Sequence, residues 1–306
     1  MQMPLPLTRD LVLIGGGHAH ALVLKRWGMT PLPGVRLTVI NPGPDAPYTG
    51  MLPGHVAGHY DRQELEIDLV RLARFAGARV ILGRAAGIDR TRKRIRIEGR
   101  GEIAYDIASI DIGISSGLPD LPGFTEHAIA AKPLGAYAGR WRDFRDRAAA
   151  GRVPPEIAVI GAGVGGVELA MAMAHALRER RVVPAITVLE RDSALPGIAG
   201  SARRALLEAM QGFGITLREG VEVTAVGPET VALAGGEEIP SRFTVGTAGA
   251  RPQAWLADTG LGLTDGFVTV DETLRSVTDP AIYAVGDCAH LSHAPRPKAG
   301  VYAVRE

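Results

Sequence analysis

Residues 11–14 form a short apolar run, LVLI, which ends in Gly15-Gly16-Gly17 and gives way to HAHALVLKRW, whose apolar spacing predicts a helix. The run VRLTVI at 35–40 supplies a second strand, so the chain opens as strand, glycine turn, helix and strand, a βαβ unit. Pro and Gly crowd the stretch from Asn41 to His59, and PGPDAPYTGMLPG predicts a long ordered loop rather than a helix. Helical periodicity returns over 65–75, and 79–82 predicts another parallel strand. Alternation over 92–97 and 103–110, broken by EGRG, predicts a small antiparallel appendage. At Ile157 the opening pattern recurs: IAVIGAGVGGVELAMAMAHAL predicts strand, glycine turn and helix, with the next strand at 185–190. Helices over 134–147 and 201–211, strands near 215–218, 221–226 and 242–247, and a hairpin through Gly235-Gly236 complete a second α/β domain. The section from 265 onward carries strand-like FVTV and IYAVG but is too short for a third core.

The two glycine turns differ in how much chemistry they announce. Gly161-x-Gly163-x-x-Gly166 follows an apolar strand and opens a helix, the setting in which such spacing binds a dinucleotide. The first glycine permits the tight turn, the second leaves space for a pyrophosphate at the helix N-terminus, and the third lets helix and strand pack closely. Glu190, ending the next strand, is placed to accept hydrogen bonds from an adenosine ribose, which favours NAD over NADP because a 2′-phosphate would meet a carboxylate. In the first turn Gly15 and Gly17 repeat the first two positions, but His20 stands at the third, and Asn41, which ends the next strand in place of an acid, could still hydrogen-bond a ribose hydroxyl without Glu190's selectivity. A purely structural strand-to-helix turn remains an alternative there. His18 and His20 could each donate to phosphate, stack beside it or pack.

Composition narrows the classes. The chain has 306 residues, 46% of them hydrophobic, enough for two ordinary globular cores. Lys and Arg total 34 against 33 for Asp and Glu, so no net positive field favours nucleic acid, and the basic stretch Arg84 to Arg100 reads as a solvated strand face. No stretch reaches the roughly 20 apolar residues that a membrane span needs, and the N-terminal MQMPLPLTRD has no positive leader; a cytoplasmic protein is expected. The single cysteine, Cys288, excludes an intrachain redox disulfide. In Cys288-x-His290-x-x-His293 it reads as a small buried residue, a redox thiol or a metal ligand, and without a supporting shell no metal is expected.

Far downstream, Ile282-Tyr283-Ala284-Val285-Gly286-Asp287 delivers glycine and aspartate to a turn after an apolar run. With the two glycine turns, this resembles the pyridine nucleotide-disulfide oxidoreductase superfamily of FAD- and NAD(P)-dependent flavoproteins. More narrowly, GGGHAH, YTGMLPG, GDCA and RPKAGVYAVR resemble the NADH dehydrogenase-like module that some proteins fuse ahead of a selenide, water dikinase domain. The resemblance implies an α/β fold of two Rossmann-like domains of the three-layer ββα type, the second inserted in the first. Residues 1–120 with 253–306 would form the FAD-binding domain and 121–252 the NAD(P)-binding domain. DIGISSG at 111–117 and TVGTAGARP at 244–252 would be the crossings between them.

The same resemblance implies that Asp287, after Gly286, bonds the ribityl and diphosphate region of FAD, with Tyr48, Thr49 and Lys132 as further candidates for the flavin wall. Glu168 would lie near the meeting point of nicotinamide and flavin, where it could relay a proton, orient the nicotinamide or simply complement the helix dipole. The implied activity is hydride transfer from NADH to FAD and onward to a quinone-like or protein acceptor. A sulfide:quinone-type oxidoreductase and a non-catalytic FAD- and NAD-binding regulatory module are the competing readings. Members usually continue past the GD segment, so the end at VYAVRE, inside an expected helix, suggests that a C-terminal interface or kinase domain is missing. A homodimer and a peripheral membrane contact would belong to that full-length protein.

Overall fold

The computed structural model describes residues 6–132, 134–295 and 298. Its principal elements are β1 (Arg9–Ile14), α1 (His18–Met29), β2 (Val35–Asn41), α2 (Leu52–Ala57), α3 (Leu69–Phe75), β3 (Arg79–Leu82), β4 (Ile107–Ile110), β5 (Ala128–Ala130), α4 (Leu134–Ala149), β6 (Glu156–Ile160), α5 (Val164–Glu179), β7 (Ala185–Leu189), α6 (Gly200–Gly212), β8 (Thr216–Arg218), β9 (Phe243–Gly246) and β10 (Ile282–Ala284). The expected helix at VYAVRE lies outside the described residues.

The chain divides into two compact units, one from residues up to Gly50, Glu66–Ile114 and from Arg251 onward, the other from Met51–Leu65 and Ser115–Ala250. In the first unit five strands order as β10-β4-β1-β2-β3, every neighbouring pair parallel. Successive residues of β1 point to opposite faces, and both faces are covered. Leu13 packs with Leu24, Leu37, Val39, Leu69 and Ala73 on the side of α1 and α3. Val12 and Ile14 pack with Ile40, Ile88, Ile95, Ile97 and Ile110 toward the antiparallel ribbon Ala85–Asp89, Arg94–Ile97 and Gly101–Ala104. Two-sided burial explains why these strands read as continuous apolar runs rather than alternating ones.

The second unit repeats the plan. Its sheet orders β5-β9-β6-β7-β8, again all parallel. Ile157 and Val159 pack with α4 and α5, while Ala158 and Ile160 face the antiparallel ribbon Val223–Val226, Thr230–Leu233 and Glu238–Pro240. Helix α5 buries Gly166, Val167, Ala170, Met173, Ala174 and Leu177, a stripe at three- and four-residue spacing that small side chains let approach the sheet closely. Both units are therefore three-layer ββα folds.

Three features depart from the sequence-based expectation. First, residues 52–57 are helical: Pro53 stands in the first turn, where its missing N–H costs nothing, and Gly58 at φ +91° ends the helix in the left-handed conformation. Leu52 and Val56, one turn apart, are buried. Second, residues 51–65 belong to the second unit, whereas the sequence kept them with the first. The Trp141 indole N–H of α4 donates to the Val56 carbonyl at 3.2 Å, and the His59 and His175 rings lie 5.2 Å apart. Third, the stretch 103–110 is two strands. Gly101–Ala104 ends the ribbon and Ile107–Ile110 enters the parallel sheet beside β1, a split that alternation alone could not reveal.

Candidate functional site

The parallel registers bring strand ends level. In the first unit Ile14 lies opposite Ile40 and Ile110, and Ala284 opposite Ile110. Gly15, Asn41, Asp111 and Val285 therefore start the connections along one edge of the sheet, and Gly286-Asp287 follows there in a short 3-10 turn. In the second unit Ile160 lies opposite Leu189 and Gly246, so Gly161, Glu190 and Thr247 share the equivalent edge. In open α/β sheets this C-terminal edge, where connections leave to opposite sides, is where ligands bind.

The two glycine turns use the same backbone frame. Gly15 N–H donates to the Ile40 carbonyl at 2.8 Å, and Gly161 N–H to the Leu189 carbonyl at 2.8 Å. Gly15 and Gly161 sit at φ +91° and +107°, which a residue with a Cβ rarely adopts. Gly16 N–H donates to Asn41 Oδ1 at 3.0 Å, and Ala162 N–H to Glu190 Oε2 at 2.8 Å. Asp111 N–H reaches the Ile14 carbonyl at 2.8 Å, and Thr247 N–H the Ile160 carbonyl at 2.9 Å. Asn41 thus matches Glu190, and Asp111 matches Thr247.

The turns part company at the second and third glycine positions. A Cβ on Gly163 would meet no described protein atom within 4 Å, so the space beside it is open to a ligand. A Cβ on Gly17 would lie 2.0 Å from Asp111 Oδ1, so a carboxylate already fills the corresponding space. A Cβ on Gly166 would lie 2.0 Å from the Gly161 carbonyl oxygen; only glycine lets α5 approach so closely. His20 solves the same problem differently. Its Nδ1 lies 2.7 Å from the Gly15 carbonyl, which can only accept, so Nδ1 carries the proton and Nε2 accepts from the Ser109 hydroxyl at 2.8 Å. Burial pushes the His20 pKa below the ordinary histidine value, against the Asp111 charge and the Gly15 carbonyl, which both raise it. His20 is therefore a neutral structural bridge, and His18 packs edge-on against Tyr48 with ring centroids 4.7 Å apart.

The remaining candidates have definite environments. Asn41 also donates its amide to the Gly43 and Asp45 carbonyls at 2.8 and 3.2 Å, which commits both its N–H groups to the loop. Glu190 accepts from Ala162 and, at 3.1 Å, from Asp192 N–H; a carboxylate has about four acceptor directions, so two remain for hydroxyl donors. Leu195, buried and at φ +56°, holds the following loop to the turn by donating its N–H to the Ala162 carbonyl at 2.8 Å. Glu168 is exposed in the second turn of α5, and partial desolvation raises its carboxyl pKa. Thr49 opens a 3-10 turn in the first unit, whereas Lys132 follows β5 in the second.

Cys288 is 1% exposed, its thiol donates to the Val285 and Ile110 carbonyls, and burial pushes its pKa up to about 12. Among the described residues no three His, Cys, Asp or Glu side chains converge as metal ligands. No helix among them is long and apolar enough to cross a membrane. Sequence reasoning missed Asp111, Ser109 and Thr247. Asp111 and Thr247 were visible only as members of the crossing segments 111–117 and 244–252, and their partners became apparent once β4 and β9 were known to flank β1 and β6.

A sequence profile of the pyridine nucleotide-disulphide oxidoreductases matches residues 9–306. The chain belongs to this family. The family's name refers to a pyridine nucleotide and a disulphide, although this member has one cysteine. The NADH dehydrogenase-like protein YutJ of Bacillus subtilis is 26% identical over 294 residues, which cover 94% of this chain and 78% of that protein. The fold is similar to reduced Bacillus anthracis CoADR-RHD, with a TM-score of 0.83 and 23% identity, covering 97% of this chain and 55% of that one. It is also similar to a NAD-dependent persulfide reductase from A. fulgidus, with a TM-score of 0.82 and 23% identity over 97% of this chain and 57% of that one. The chain thus spans little more than half the length of these two solved structures.

The two turns can be tested against the dinucleotides that family membership implies. The second fits without change: open space at Gly163, a helix N-terminus behind it, and two unused acceptor directions on Glu190 suited to ribose hydroxyls. The first fits in its turn, its strand edge and the presence of Asp287, with Asp111 standing at the helix N-terminus.

Proposed function

We propose that the chain binds FAD at the Gly15 turn and NADH at the Gly161 turn, and passes the electrons it receives to a quinone-like or protein acceptor. The observation that carries this reading is the open cradle at Gly163 with Glu190 hydrogen-bonded to the same turn. Glu190 fixes the turn through Ala162 and Asp192 and offers its remaining acceptor directions to the ribose, so NADH is preferred to NADPH. Bound FAD would supply a two-electron acceptor for the nicotinamide hydride, a step that needs no protein base. The protein orients the reactants and excludes competing reactions. Glu168 is the candidate for orienting the nicotinamide, and its raised pKa suits a group that holds a proton more readily than a solvated carboxylate. Gly286 and Asp287 are the candidate ribityl contacts. Cys288, buried with a strongly raised pKa, gives no support to thiol or persulfide chemistry.

The test is anaerobic mixing of FAD-loaded protein with NADH, followed by the visible absorbance of oxidised flavin. Prompt loss of that absorbance is expected. Its persistence with both NADH and NADPH refutes the enzymatic reading and leaves the non-catalytic one. Glu190→Ala is expected to narrow the preference for NADH, and an unchanged NADH-to-NADPH affinity ratio counts against the ribose contact.

A further inference from the structure

The two turns share a backbone frame but not their occupant. At the second, Thr247 turns its hydroxyl to the Gly161 carbonyl at 2.9 Å, and the space beside Gly163 stays open. At the first, Asp111, 5% exposed, points its carboxylate at Gly17 and accepts the N–H of His20, the third residue of α1, at 2.9 Å. Backbone N–H groups in the first turn of a helix are what a dinucleotide diphosphate uses for recognition, and the helix dipole favours one anion there. Asp111 therefore supplies, within the chain, the kind of charge and acceptor that a diphosphate would bring.

We propose that Asp111 is an internal competitor for the diphosphate at the first turn, so that FAD is held as an exchangeable ligand while the second turn has no such competitor. This rests on the reading that the first turn binds FAD. Asp111 keeps the turn formed in the ligand-free chain, and the same carboxylate opposes the arrival of a second anion. At the effective dielectric of a protein interior, removing such a like charge is expected to strengthen binding on the order of ten- to a hundredfold. The effect shrinks with added salt to the extent that the site is open to solvent. A merely structural role predicts the opposite sign, since losing the bond to His20 would loosen the turn and weaken FAD.

The experiment compares FAD, riboflavin and NADH binding to the wild-type chain, Asp111→Asn and Asp111→Thr, at low and high salt. The amide of Asp111→Asn retains an oxygen for His20 N–H and removes only the charge, while Asp111→Thr removes the charge and that acceptor together; thermal melts report folding. Expected are FAD affinities at least tenfold higher in the variants, a smaller gap at high salt, and unchanged riboflavin and NADH binding. The wild type should also lose FAD on gel filtration more readily than the variants. Equal or weaker FAD binding in a folded variant overturns the proposal and leaves the flavin reading standing. Failure of all three proteins to bind FAD overturns both.

Discussion

Replacing Gly163 with alanine separates a glycine kept for a ligand from one kept for the fold. Gly163 has φ −67° and ψ 175°, ordinary extended values for any residue, and its Cβ would meet no described protein atom within 4 Å. The ligand-free protein should therefore tolerate Gly163→Ala, because the gain from restricting the unfolded chain, about 0.4–1 kcal/mol, roughly offsets the cost of alanine at the N-cap of α5. Gly166→Ala should behave oppositely. Its Cβ would lie 2.0 Å from the Gly161 carbonyl and 2.7 Å from Thr247 Oγ1, so helix or strand must shift, at about 1–3 kcal/mol for such overpacking. With about 2–4 °C per kcal/mol in a domain of this size class, the Gly166 variant should melt several degrees lower and the Gly163 variant no lower. NADH titration should reverse the ranking of interest. The added methyl of Gly163→Ala stands in the cradle, and the same 1–3 kcal/mol of crowding, now at the ligand, weakens binding roughly five- to 150-fold. A Gly163 variant that melts early, or that binds NADH as the wild type does, refutes the assignment of that space to a dinucleotide.

Other expectations follow from burial and charge. Because His20 is neutral in the fold with a depressed pKa, the unfolded chain binds more protons as pH falls through the ordinary histidine value near about 6.5, so stability is full above that value and declines below it. His20→Gln should show a shallower decline between about pH 7 and 5 in chemical-denaturation midpoints; an identical slope refutes the bridge. Cys288 in the native protein should resist thiol reagents at neutral pH and become reactive on unfolding, and Cys288→Ala should retain NADH-dependent flavin reduction. Loss of reduction in a folded, flavin-loaded Cys288→Ala protein would give the thiol a role that its burial denies.

The regular parts of the fold were legible because each has a local signature. Two-sided burial wrote LVLI and IAVI as unbroken apolar runs, and the spacing of Gly161, Gly163 and Gly166 after such a run left few alternatives to a strand, turn and helix. The helix at 52–57 was obscured because Pro53 and Gly54 read as breakers, whereas position decides their effect: Pro in a first turn and Gly58 just past the end are compatible with a helix. The association of 51–65 with the second unit depends on Leu52, Val56 and Leu65 joining the core around Trp141, contacts made over more than 70 residues of separation that no local pattern records. At the site, Glu190 could be read from its strand end alone. Asp111 could not, because its meaning depends on β4 lying next to β1 and its carboxylate turning toward Gly17.

His20 and Asp111 read best as one coupled departure. Where the third position is glycine, at Gly166, the helix approaches the Gly161 carbonyl until a Cβ would lie 2.0 Å away, and Thr247 fills the remaining gap with a hydroxyl. His20 carries a Cβ and cannot copy that approach; its ring instead spans from Gly15 to Ser109, and its own N–H is received by the Asp111 carboxylate. Changing only one residue leaves the other mismatched. His20→Gly removes the ring from Gly15 and Ser109, and Asp111→Thr leaves the His20 N–H without the carboxylate acceptor. The double variant His20→Gly with Asp111→Thr recreates the pair found at the second turn and should be more stable than the sum of the single effects implies. A coupling of about 0.5–3 kcal/mol in that direction is expected from denaturant unfolding, within the range measured for residues in direct contact. Strict additivity would mean that the two substitutions are independent, and that the first turn is a glycine turn with two unrelated replacements rather than a second, self-consistent way to build one.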